Sequence, residues 1–248
     1  MASIGIFDSG SGGLSVLREI RKILPDERYI YYSDNAYCPY GEKSAEFVTG
    51  RSRAVTDLLL SKGASAVVVA CNTATAAAIA TLRSEYDIPF VGMEPAVKPA
   101  ASGTRSGVVG VLATAGTLKA PKYLNTKEQY AEAVQIEERV GKGFVELVEN
   151  LDLDSPHAES VVRASLQPLL DAGADTVVLG CTHYPFLLPL MRRIAPPDVH
   201  FIDPAPAVAR RLLDVLKMSG IALYDSNPGV ELFSSGPDTT LGKLFAII

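Results

Sequence analysis

Two cysteines stand at matching places in two stretches that repeat one another. Gly63-Ala64-Ser65-Ala66-Val67-Val68-Val69-Ala70 leads to Cys71-Asn72-Thr73, and Gly173-Ala174-Asp175-Thr176-Val177-Val178-Leu179-Gly180 leads to Cys181-Thr182-His183. A thiol, with a reference pKa of about 8.5, can act near neutrality as a base in one protonation state and as an acid in the other. Two thiols that reach one carbon from opposite sides suit inversion of a stereocentre, one removing the proton from Cα and the other delivering one. The carbanion between the two steps needs preorganised donors. Ser9, Thr73, Thr114, Thr117 and Thr182 offer hydroxyls and amides at the ends of strand-like runs. Asp8 in the half of Cys71, and His183 just past Cys181, are placed to handle charge or protons for their own thiols.

The same residues admit other chemistry. Cys181 activated by His183 could be a lone nucleophile, which leaves Cys71 without a role. A metal site with His183 as a third ligand, as in a metal-dependent hydrolase, lacks a close-spaced cysteine pair and a clear fourth ligand, so no metal is expected. Cys38 lies in a loop with nothing beside it that points to a thiolate, and reads as a small apolar residue.

Each cysteine follows a Gly-Ala turn and a short run rich in β-branched residues, the pattern of a parallel strand buried on both faces. The carboxyl ends of such strands are where open α/β sheets take ligands. Ile4-Gly5-Ile6-Phe7 is an earlier strand, ending in Asp8-Ser9-Gly10-Ser11-Gly12-Gly13, a turn whose amides are free to meet an anion. A helix is expected from about Leu14 to Leu24, a strand over Tyr29–Asp34, a long helix from about Ser44 to Ser61, an alanine-rich helix opening near Thr73, and a strand over Ile88–Met93. The cycle then repeats. A strand spans Ser106–Leu112, another Gln135–Val140, a short helix Phe144–Glu149, and a longer helix opens at Asp154-Ser155-Pro156, with an N-cap and a first-turn proline. His200-Phe201-Ile202-Asp203-Pro204-Ala205 mirrors Val91-Gly92-Met93-Glu94-Pro95-Ala96. The spacing from Cys71 to Cys181 agrees within one residue with that from Pro95 to Pro204.

This is an internal duplication of one α/β unit. The expected fold is α/β: two similar domains with mainly parallel sheets, related by pseudo-two-fold symmetry, with the active site in the cleft between them. The domains are residues 1–94 plus 207–248, and residues 95–206. The tail contributes a helix over Val208–Met218 and a strand over Gly229–Ser235, and its residues do not themselves say which unit it joins.

The 248 residues suffice for an ample core. A net charge of −5 without a basic cluster argues against a nucleic-acid surface. No apolar run approaches the ~20 residues needed to span a bilayer. Met1-Ala2-Ser3-Ile4 enters a strand-like run with no basic or apolar leader ahead of it. Three scattered cysteines make no disulfide framework. A cytoplasmic protein is expected.

Taken together, Asp8-Ser9-Gly10-Ser11-Gly12-Gly13-Leu14, Asp34-Asn35-Ala36 with Pro39-Tyr40-Gly41, Ala70-Cys71-Asn72-Thr73-Ala74 and Gly180-Cys181-Thr182-His183-Tyr184-Pro185 resemble the glutamate racemases of the aspartate/glutamate racemase superfamily. The resemblance covers nearly the whole chain in order. It implies interconversion of L- and D-glutamate without pyridoxal phosphate, metal or other cofactor, supplying D-glutamate for peptidoglycan. It implies that Cys71 faces D-glutamate and Cys181 L-glutamate, assisted by Asp8, His183 and Glu149. The pairs Asp8-Ser9, Tyr40-Gly41, Asn72-Thr73 and Thr182-His183 would bind substrate, with Thr114 and Thr117 nearby. Two departures stand out. Gly141-Lys142-Gly143 replaces a Cys-Pro common before the helix that carries Glu149, and Ser11 replaces a common valine or isoleucine. Relatives activated by a cell-wall precursor carry an N-terminal extension not seen here, so no such activation is expected. A homodimer is the default expectation. The alternatives are racemisation of aspartate or another amino acid, and a non-catalytic small-molecule-binding protein.

Overall fold

Strand-forming runs alternate with helices along the chain, and among the described residues the strands collect into two sheets in which every pairing is parallel. The structure, a computed structural model, describes residues 3–221, 227–237 and 239–248. Met1 and Ala2 of the N-terminal reading lie outside the described residues. Contacts divide the chain into two units, Met1–Met93 with Ala205–Ile248, and Glu94–Pro204.

The first unit begins with β1 (Ser3–Asp8), α1 (Leu14–Ile23), β2 (Arg28–Ser33), α2 (Ala45–Ser61), β3 (Ala64–Val69), α3 (Asn72–Glu85) and β4 (Phe90–Val91). The second unit contains α4 (Val97–Gly103), β5 (Val108–Ala113), α5 (Ala115–Leu118), α6 (Pro121–Tyr130), β6 (Gln135–Val140), α7 (Phe144–Glu149), α8 (Pro156–Asp171), β7 (Thr176–Gly180), α9 (Leu188–Ile194) and β8 (His200–Ile202). The chain then returns to the first unit with α10 (Ala205–Met218), β9 (Gly229–Ser234) and α11 (Thr239–Phe245).

The sheet of the first unit runs β4-β3-β1-β2-β9 and that of the second β6-β5-β7-β8. Without β9, both have one order, in which the strand leading to the cysteine lies next to the first strand of its unit. The repeat seen in the residues is therefore a repeat of topology. The tail adds β9 beside β2, in register from Arg28 with Gly229 to Ser33 with Ser234.

The core of each unit follows from burial on both sheet faces. Val67, Val68 and Val69 of β3 and Val177, Val178 and Leu179 of β7 are completely buried, and each such side chain stabilises the fold by about 1.5–3 kcal/mol. The glycine opening each preceding turn, Gly63 at φ 92° and Gly173 at φ 87°, sits in the left-handed region. In β2 the buried Tyr29 and Tyr31 donate their hydroxyls to the carbonyls of Leu24 and Gly10. The alanines of α3 let it lie close on the sheet, with Ala74 and Ala78 inside the core. Ser155 caps α8, accepting the Ala158 N–H at 3.1 Å.

The structure differs from the sequence reading in places. The strand expected over Ile88–Met93 is reduced to Phe90–Val91, because only those two residues pair with β3. The helices α4, α5, α6, α9 and α11 were not expected. In α6 the buried residue is Tyr123 alone, so no apolar stripe marks it.

Candidate active site

In the first unit the site starts from Asp8 at the end of β1, a completely buried carboxylate. A charge without access to water must be held by hydrogen bonds. Oδ1 accepts the Ser9 N–H at 2.8 Å and Oδ2 the Gly13 N–H at 2.7 Å. The glycine-rich turn thus meets an anion, and that anion is the protein's own Asp8. Gly13 must be glycine for this approach, because a Cβ there would lie 2.8 Å from both Asp8 Cβ and Tyr31 Oη. Tyr31 Oη supports the same turn, donating to the Gly10 carbonyl at 2.9 Å.

Cys71 is the N-cap of α3. Its sulfur accepts the Ala74 N–H at 3.4 Å and lies 3.9 Å from Ser9 Oγ. The free amides and dipole of a helix start favour negative charge on a sulfur held there. Asn72 and Thr73, the next residues, are buried. Asn72 stands out, because its amide nitrogen and oxygen are both shielded from solvent and neither has a hydrogen-bond partner among the described residues. An orphaned buried amide costs about 1–3 kcal/mol, which a polar ligand would relieve. Tyr40 and Gly41 lie in a single 3-10 turn, Tyr40–Glu42, with Tyr40 completely buried. Cys38, half-buried, lies in the loop before it.

In the second unit Cys181 and Thr182 follow β7, both buried. His183, also buried, places Nδ1 3.8 Å from Cys181 Sγ and Nε2 2.7 Å from Oε1 of Glu149, the last residue of α7. Burial works against charge on His183, yet its hydrogen bonds to Cys181 and Glu149 outweigh it and hold the imidazole well above the ordinary histidine range. A charged His183 has a proton to direct at the sulfur. Next to it, burial and then the charge of Cys181 push the Tyr184 phenol well up, so it stays neutral. Its ring meets Phe144 edge-on at 5.0 Å between centroids. Thr114 caps α5 and accepts the Thr117 N–H at 3.3 Å, the two hydroxyls lying 3.0 Å apart.

Within the first unit Ser9, itself bonded to Asp8, and the helix start at Asn72-Thr73 lie beside Cys71, and within the second His183, itself bonded to Glu149, lies beside Cys181. The Asp/Glu/Hydantoin racemase family matches residues 4–212. The chain belongs to this family. It is 50% identical to a glutamate racemase of Methylococcus capsulatus, over 99% of this chain and 91% of that protein. A glutamate racemase of Pseudomonas aeruginosa is 52% identical, over 87% of this chain and 82% of its own length. Among solved structures, Escherichia coli glutamate racemase in complex with L-glutamate and the activator UDP-MurNAc-ala superposes with a TM-score of 0.90 and 35% identity, covering 100% of this chain and 94% of that one. The chain has the architecture of this racemase family, two α/β units with parallel sheets. Among the described residues no helix is long and apolar enough to cross a membrane.

One group beside the site escaped the sequence reading. Asp34, completely buried just past β2, accepts Nε of Arg51 at 2.9 Å and Nη2 at 2.8 Å, and also the hydroxyl of Tyr40. Asp34 was visible as part of a motif, whereas Arg51 was not. The available signal was Asp34 itself, a carboxylate at a strand tip that needs a cation.

Proposed function

We propose that this chain interconverts L- and D-glutamate by proton transfer at Cα, with Cys71 and Cys181 as the two bases. The observation that carries the reading is that both cysteines follow the corresponding strand of a repeated sheet order, β3 in one unit and β7 in the other. The choice of glutamate is supported by relatives of that name about 50% identical over nearly the full chain.

The reaction runs without net change in the protein's protons. Cys181 as thiolate takes the α-proton of L-glutamate, and Cys71 as thiol delivers its own to the opposite face, leaving D-glutamate and the thiolate of Cys71. The reverse direction exchanges the roles. The unlike surroundings of the sulfurs suit this division. Cys71 Sγ receives a backbone N–H of α3, which stabilises the thiolate left after delivery. Cys181 Sγ faces His183, whose charge Glu149 supports. The orphaned Asn72 amide, with the backbone of Thr73 and Thr182, binds the polar groups of the substrate and stabilises the carbanion. Asp8 holds the first turn against the thiol of its own unit. The product of the reaction supplies peptidoglycan synthesis. A cytoplasmic homodimer belongs to the same reading, and sedimentation equilibrium tests the dimer.

Circular dichroism of L-glutamate and L-aspartate solutions during turnover tests the proposal. Loss of the glutamate signal is expected. Faster turnover of aspartate would overturn the choice of substrate, and turnover of neither would overturn the activity.

A further inference from the structure

We propose that Arg51 is a positioning residue for the segment Tyr40-Gly41, acting through the buried carboxylate of Asp34. The proposal rests on the reading of that segment as part of the substrate site. Asp34 has no access to water, so its partners fix where it lies. Arg51 grips it with two nitrogens, at 2.9 and 2.8 Å. A two-pronged pair of this kind sets orientation as well as distance. The third partner is the hydroxyl of Tyr40. Burial, and next Asp34, push the Tyr40 phenol well above its ordinary range, so it remains the donor in this bond. The single proton of Tyr40 is therefore directed at Asp34, and what the segment presents to a ligand is backbone.

Arg51 carries the rigidity of α2 into the loop. Its guanidinium carbon also lies 4.0 Å from the centroid of the Tyr37 ring, near the other end of the same loop. Where the loop leaves β2 it is held from β9 and the residues after it. Asn35 Oδ1 accepts Ser234 Oγ at 2.7 Å and the Gly236 N–H at 3.1 Å, and the Ala36 N–H donates to Ser235 Oγ at 3.0 Å. The loop contains nothing more regular than two single 3-10 turns. Tyr40 itself packs in the core of the first unit, and the polar attachment that reaches its hydroxyl passes through Asp34 and Arg51.

The test is steady-state racemisation by the full chain carrying Arg51→Lys, Tyr40→Phe, or both, with circular dichroism to verify folding. Lysine keeps the charge and loses the fork. Arg51→Lys is expected to raise KM for both enantiomers about tenfold while kcat changes less than about threefold. Tyr40→Phe is expected to do the same. The double variant should show little more than either alone, because both act through Asp34. An unchanged KM in folded Arg51→Lys, or full additivity in the double variant, overturns the proposal. Should Arg51→Lys not fold, an unchanged KM in Tyr40→Phe overturns it equally. A wild-type protein that racemises no glutamate contradicts the functional reading, whereas an active wild-type with unaltered variants contradicts the positioning role alone.

Discussion

His183 turns Nε2 to Glu149 Oε1 at 2.7 Å and Nδ1 to Cys181 Sγ at 3.8 Å, so that one buried ring lies between a carboxylate and a thiol. The sulfur of Cys71 instead meets a backbone amide at the start of α3 and the hydroxyl of Ser9. Two thiols at repeated positions thus have different electrostatic support.

The raised pKa of His183 makes stability depend on pH. A group whose folded pKa lies above its unfolded one stabilises fully below the unfolded value and loses that contribution as pH rises through the folded value. The His183–Glu149 pair is therefore fully effective below pH ~6.5 as long as Glu149 stays ionised, and weakens as pH rises through the raised value of His183. Denaturant unfolding of Glu149→Gln is expected to show a deficit of about 2 kcal/mol near neutrality. The deficit should shrink as pH rises. A deficit independent of pH would contradict the charged state assigned to His183.

Asn72 distinguishes a ligand-binding group from a structural one. Its side-chain amide has no partner among the described residues, so Asn72→Ala removes a cost of about 1–3 kcal/mol along with a few packing contacts. Thermal unfolding should show stability unchanged or slightly raised, while KM for glutamate rises at least about tenfold. A destabilised variant with normal KM would assign Asn72 to the fold instead.

Gly13→Ala places a Cβ 2.8 Å from Asp8 Cβ and from Tyr31 Oη, with Ala70 Cβ at 3.2 Å. These neighbours are buried, and overpacking there should cost about 1–3 kcal/mol. The Gly13 N–H to Asp8 bond must lengthen, so racemisation should fall as well. Wild-type activity with wild-type stability would show that the turn adapts freely.

Much of this was legible in the residues, for identifiable physical reasons. The valine runs of β3 and β7 announce parallel strands because both of their faces are buried, and Ser155-Pro156 announces α8 because a capping hydroxyl and a first-turn proline have few other uses. Asp8, Cys71 and His183 were legible as polar groups at strand ends, where packing gives them no purpose. Arg51 was not, because an arginine among the polar residues of α2 reads as solvated. Only the folded chain brings Asp34 within reach of its guanidinium. Tyr40 was legible only as part of a motif. That its hydroxyl turns inward to Asp34 depends on a loop whose course is set by contacts with α2 and β9.

In the proposed reaction both thiols transfer protons at one carbon. Replacing Cys71 and Cys181 separately by serine, and following racemisation together with exchange of the Cα proton in deuterium oxide, tests it most directly. Each variant is expected to lose about 10²–10⁴-fold in racemisation. Wild-type turnover in either variant would contradict the two-thiol account.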